Sequence, residues 1–302
     1  MSADRMTLSR AGTAADVHYL ALPPTAVDAR PSGATRLAVV WHGFGPPRTP
    51  AAMAAAVPMT GVPVWRVYLH LPAPTGALPP AGLGGETAVV DFAETVERAA
   101  ERFPDVLEEL RRDLELAEGP VALAGFSAGA AVAMLVLASA AVPVSAAAFV
   151  APIAAPARTM AQVIKETGRP YAWTGPSREA ADRLNLPARA AELARPGAPI
   201  LLVAGSGDPL VPASEVTRLG ERLTEQGAVV ETTTVQMAHA LTAEPGVDPV
   251  PPIQEAVSVD TVLTEWFRRH LATVTAPAEG AAPSLLQTYP DGVPISAGPQ
   301  QD

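Results

Sequence analysis

Short apolar runs alternate with longer amphipathic ones along this chain from residue 36 to residue 271. Residues 36–41 (RLAVVW) and 62–69 (VPVWRVYL) predict strands, and residues 51–57 between them suit a short helix. From 86 to 116 apolar positions recur at helical spacing, with Val89, Val90, Ala93 and Val96 before Pro104 and Val106, Leu107, Leu110 and Leu114 after it. Glu94 and Arg98 add an i,i+4 pair, and Pro104 predicts a kink or a division. Residues 121–124 (VALA) predict a buried strand and 130–138 a buried helix. Three further strands are expected at 144–150, 200–204 and 229–235, and two helices at 214–226 and 254–271. Strand followed by helix, repeated, predicts an α/β fold with a mainly parallel sheet and helices on both faces, because crossover helices cover both sides. No internal repeat is present, and the first 35 residues supply one clear strand, around His18.

Two segments break the alternation. Residues 153–197 are too long for one crossover helix and hold helical material at 157–167 and 177–193, with Tyr171 and Trp173 between. They are expected to form a small helical lid over the carboxyl ends of the strands, where open α/β sheets bind ligands. Residues 272–302 are rich in Ala, Pro and Gly and are expected to be a flexible or surface-draped tail. The predicted organisation is therefore one α/β domain at 1–271, a lid at 153–197 and the tail.

Composition narrows this picture. Of 302 residues, 48% are hydrophobic and 17% charged, as a well-filled globular core requires. A net charge of -10, with Lys165 the one lysine among 21 basic residues, argues against a nucleic-acid partner. Without cysteine there is no disulfide, thiolate metal site or cysteine nucleophile, which fits a cytoplasmic protein. No two histidines lie within five residues of each other, so no metal-binding helix is expected, and no cofactor. The start of the chain, with Asp4, Arg5 and Arg10 and no apolar core, does not read as a signal peptide. Residues 119–157 lack any charge, but a membrane span needs about 20 continuous apolar residues. Gly125, Gly129 and Pro143 divide this stretch, and a buried core explains it better.

The chemistry centres on Gly125-Phe126-Ser127-Ala128-Gly129, set between the predicted strand and the predicted helix. This is the context of a nucleophile elbow: the serine stands on a tight turn, and the helix behind it aims free N–H groups and a positive dipole end at any anion formed there. A serine hydroxyl is a weak nucleophile at neutral pH and needs a base, which in turn needs an orienting carboxylate. Among five histidines only His239 hangs in a loop after a late strand. Asp208 follows the strand at 200–204 through Gly205-Ser206-Gly207 and precedes Pro209, also in a loop at a strand's carboxyl end. Asp182, Asp248 and Asp260 are weaker rivals because none follows a core strand.

With the order Ser127, Asp208, His239 in place, the chain resembles the α/β-hydrolase superfamily. The match lies in the elbow, in the two strand-loop placements of Asp208 and His239, and in Trp41-His42-Gly43-Phe44-Gly45, which is similar to that family's oxyanion loop; it spans residues 36–271. Within the superfamily, Pro209-Leu210-Val211-Pro212 and Met237-Ala238-His239 look like the small bacterial esterases and dienelactone-hydrolase-like enzymes. The resemblance implies acyl transfer in two steps, with the N–H groups of Phe44 and Ala128 as the oxyanion hole and His42 shaping the loop that presents Phe44. Serine at position 127 disfavours the branches that carry aspartate at the elbow, the epoxide hydrolases and haloalkane dehalogenases.

The expected activity is cleavage of a carboxylic ester with a small to medium acyl group. Thioester hydrolysis or acyl transfer in a biosynthetic pathway uses the same machinery, and a catalytically idle binding protein is the third class. Residues 158–195 carry seven basic and four acidic side chains, a net +3 that either forms a solvated face or attracts an anionic acyl donor such as a CoA thioester. Tyr171 and Trp173 either wall an acyl pocket or pack the lid onto the core.

Overall fold

The computed structural model describes residues 8–72 and 87–274. Its centre is an eight-stranded sheet: β1 (Arg10–Ala14), β2 (Val17–Leu22), β4 (Leu37–Trp41), β5 (Trp65–Leu69), β6 (Val121–Phe126), β7 (Val144–Val150), β8 (Ile200–Gly205) and β9 (Val230–Val235). In space the order is β1-β2-β5-β4-β6-β7-β8-β9. The pairs β1–β2 and β2–β5 are antiparallel, and every later pair is parallel. The inner strands β4, β5, β6 and β8 are buried at every position, as strands covered on both faces must be, whereas the edge strand β9 is largely exposed or half-buried.

Alternate residues of each strand feed two apolar layers. Leu37, Val39 and Trp41 of β4 join the layer formed with α2 (Ala88–Glu101), α3 (Phe103–Asp113), α4 (Ala128–Ser139) and α8 (Ala213–Glu225). Ala38 and Val40 face the opposite layer, with α1 (Pro50–Ala56) and α9 (Gln254–Leu271). Helix α4 is apolar on all sides, and every residue from Ala128 to Ala138 is buried. Such a helix needs protein on its outer face as well as beneath it. The insertion supplies part of that cover. Its α5 (Pro156–Thr167), α6 (Gly175–Arg183), a 3-10 turn at Leu186–Arg189 and α7 (Ala190–Ala194) follow β7. Helix α6 packs on α2, and α7 on α4 and α8. Met160, Val163, Ala180, Leu184, Leu186 and Leu193 belong to the main apolar layer.

Three local expectations change. Where one strand is expected near His18, the described residues 8–35 form a β1–β2 hairpin plus β3 (Ala29–Pro31). Beyond the ladder, the hairpin is held by α3: Arg10 of β1 donates to the Asp113 carbonyl, and the Tyr19 hydroxyl of β2 donates to the Asp113 carboxylate. The helix expected at 177–193 is split, because it begins earlier on a Thr174–Ser177 capping box and Pro187 opens a separate 3-10 turn. Ala272–Val274, read as the start of the tail, form strand β10 and pair with β3. The rest of the expected tail lies outside the described residues. Pro104 acts as foreseen: α2 ends at Glu101, and the proline occupies the first turn of α3.

Candidate active site

Ser127 stands at the junction of β6 and α4 with φ 57° and ψ -117°, a conformation that L residues seldom hold unless the surroundings impose it. Its N–H donates to the Val150 carbonyl (2.9 Å), and its carbonyl accepts from Ala130 (3.1 Å) as α4 begins. Small neighbours make room for the turn. A Cβ on Gly129 would run into the carbonyls of Trp41 and His42, and one on Gly43 would stand 2.9 Å from the Ser127 Cβ. The loop after β4 is thus pressed against the serine.

The Ser127 hydroxyl donates to His239 Nε2 at 2.7 Å. With Nε2 accepting, the imidazole proton sits on Nδ1 and is donated to Asp208 Oδ2 at 2.6 Å. The second Asp208 oxygen accepts the N–H groups of Leu210 and Val211, each at 2.9 Å. Both carboxylate oxygens are therefore tied, and the Asp208 side chain is fully buried. The His239 ring lies 5.2 Å from the Phe126 ring, which backs it. The structure brings these three residues into one hydrogen-bonded line from the carboxyl ends of β6, β8 and β9.

As the first residue of α4, Ala128 has no carbonyl one turn earlier inside the helix to receive its N–H. The Phe44 N–H forms no hydrogen bond with a described residue, and the Phe44 ring packs edge-on against Phe92 of α2 at 5.9 Å. Behind this loop lies His42, 1% exposed. Its Nε2 accepts the Leu71 N–H (3.0 Å), so its Nδ1–H donates to the Gly43 carbonyl (2.7 Å). Burial pushes the His42 pKa down to about 4, keeping the ring neutral in this bracing role. Nearby His70 is also lowered by burial, with a smaller effect from His18.

Tyr171 and Trp173 meet edge to face at 4.9 Å, pack against the main apolar layer, and carry Arg178 over the indole at 5.8 Å. The basic residues of the insertion are largely engaged. Arg158 pairs with Glu215, Arg183 with Glu97 and Arg189 with Glu192, while Arg195 caps the Ala138 carbonyl of α4. The clamp on Asp208 by Leu210 and Val211 was missed in the sequence, although an Asp-Pro turn commonly folds back on its own N–H groups. Among the described residues no group of three or more His, Cys, Asp or Glu could hold a metal ion, and no helix is long and apolar enough to cross a membrane.

An elbow serine, a strand-end histidine and a strand-end aspartate on this sheet order define the α/β-hydrolase fold, and solved structures share it. TT1662 from Thermus thermophilus superposes with a TM-score of 0.59 at 22% identity, over 86% of this chain and 98% of that one. The Pyrococcus horikoshii acylaminoacyl peptidase also reaches 0.59 at 15% identity, over 87% of this chain but only 42% of that longer one. The Pyrococcus furiosus esterase Pf2001 gives 0.50 at 15% identity, over 90% and 96%. No protein-family model matches the chain, and no curated protein matches it in sequence.

Proposed function

We propose that this protein is a serine hydrolase that cleaves carboxylic esters through an acyl-enzyme. The observation that carries the reading is the continuous Ser127–His239–Asp208 hydrogen-bonded line, at 2.7 and 2.6 Å. His239 Nε2 takes the hydroxyl proton as Ser127 Oγ bonds to the acyl carbon, and Asp208 stabilises the imidazolium that forms. The N–H groups of Phe44 and Ala128 receive the oxyanion; losing one such donor costs about 3 kcal/mol of transition-state stabilisation. His239 then protonates the departing alcohol. Water, deprotonated by the same nitrogen, releases the acid and restores the serine.

An ester is favoured over an anionic thioester because the basic side chains of the insertion are mostly engaged, three in ion pairs, Arg178 over the Trp173 ring and Arg195 on the Ala138 carbonyl. This leaves Lys165 and Arg169 without an ion pair, side-chain hydrogen bond or ring contact among the described residues. Peptidases that share the fold, among them those from Pyrococcus horikoshii and Mycobacterium tuberculosis, make amides the competing substrate class. The test is fluorophosphonate labelling of wild type and Ser127→Ala, followed by p-nitrophenyl esters, aminoacyl anilides and acyl-CoAs. Labelling confined to wild type, with kcat/KM highest on esters, is expected. Folded wild type that takes no label would overturn the hydrolase reading, and faster turnover of anilides would overturn the ester assignment.

A further inference from the structure

The loop that carries His239 runs from the end of β9 at Val235 to the start of α9 at Gln254 without regular structure. A connection of this length keeps a fixed shape only if something outside it ties it down. Here the tie is the loop after β4. Leu241 donates its N–H to the Pro46 carbonyl (3.0 Å), Arg48 donates its N–H to the Gly246 carbonyl (2.8 Å), and the Thr49 hydroxyl donates to the Val247 carbonyl (2.7 Å). Arg48 Nη2 reaches Glu244 Oε2 at 2.8 Å across the same seam. Gly246 makes the closest approach. It is buried with φ +69°, and a Cβ there would run into the Pro46 ring, 2.8 Å from its Cα.

We infer that Pro46 and Gly246 are positioning residues, whose contact, supported by Arg48 and Glu244, fixes the distance between the oxyanion donor and the base. The inference rests on the hydrolase reading. Phe44 stands two residues before Pro46, and His239 two residues before Leu241, so the Pro46–Leu241 hydrogen bond closes a short bridge between the Phe44 N–H and the imidazole. Neither partner touches the reacting atoms. Wedging the seam open shifts His239 relative to Phe44 while the sheet, which holds Ser127 and Asp208, stays in place. The expected signature is a loss in kcat with KM retained, since substrate binding does not pass through the seam.

The test compares Gly246→Ala with Gly227→Ala. Gly227 also has a positive φ (+84°), but a Cβ there meets nothing within 4 Å, so it reproduces the backbone strain without the wedge. Kinetics on p-nitrophenyl acetate, fluorophosphonate labelling rates and Tm are measured for both. A larger loss in Tm is expected in Gly246→Ala, where the wedge adds to the strain, with kcat and the labelling rate of the folded protein falling ~100-fold in Gly246→Ala alone, the scale of a misplacement near 1 Å. Equal kcat in the two variants would overturn the seam while leaving the hydrolase reading intact. Should Gly246→Ala fail to fold, Arg48→Met decides. It is expected to lower kcat about fivefold with Tm nearly unchanged, because an exposed ion pair adds little stability; unchanged kcat counts against the proposal. Wild type that neither hydrolyses the ester nor takes label removes the hydrolase reading, and the inference with it.

Discussion

At the scale of single residues, the site depends on proton positions. The Asp208–His239 bond holds the imidazole proton on Nδ1 and leaves Nε2 open to the serine. Asparagine at 208 presents an amide donor or a weaker acceptor in its place, so Asp208→Asn is expected to lower kcat by ~10⁴-fold with folding intact, read by ester turnover beside circular dichroism. His42 makes the opposite use of the same side-chain type. Its folded pKa of about 4 lies below the ordinary 6.5, so the unfolded chain takes up a proton over this interval before the native state does. Stability contributed above pH 6.5 is thus lost as pH falls toward 4, by about 3 kcal/mol at full extent. His70, shifted the same way, adds to it. Tm measured from pH 7 to pH 4 is expected to fall in wild type and to fall less steeply in His42→Asn.

At the scale of elements, the connection Val57–Val64 between α1 and β5 is held by polar side chains inside an apolar layer. The Arg66 guanidinium donates to the carbonyls of Pro58 (3.1 Å) and Val62 (3.2 Å), the Tyr68 hydroxyl donates to Val57 (2.7 Å), and Asp260 accepts the Met59 N–H (2.6 Å). Tyr68→Phe leaves the Val57 carbonyl without that donor, so a loss of about 1–3 kcal/mol is expected in chemical denaturation. Most elements were legible because hydrophobic period and strand-end placement are local signals. The elbow, Asp208 and His239 each announced themselves beside their own strand. β1 was not legible: Arg10–Ala14 carries no β-branched run and owes its place to β2 and to α3. The seam from Pro46 to Gly246 was equally silent, since hydrogen bonds between segments some 200 residues apart leave no periodicity.

At the scale of the whole molecule, the described C-terminal segment closes onto the N-terminal region. β10 pairs with β3 through Ala272–Pro31, Thr273–Arg30 and Val274–Ala29, and Ser32 donates its N–H to the Leu271 carbonyl. A chain ending at Leu271 is therefore expected to melt lower than one ending at Val274, by the worth of a few backbone hydrogen bonds, about 1–3 kcal/mol, measured by calorimetry. The insertion is bound into the body in the same manner, through the layer it shares with α2, α4 and α8. That sharing bears on the helix that carries Ser127. Amide hydrogens reach solvent through local openings wherever a segment can detach alone, and only through global unfolding where it cannot. With α4 enclosed from Ala128 to Ala138, its amides are expected to fall in the slowest-exchanging class, opening only with the loss of tertiary structure, whereas amides of the irregular loop that carries His239 are expected to exchange sooner.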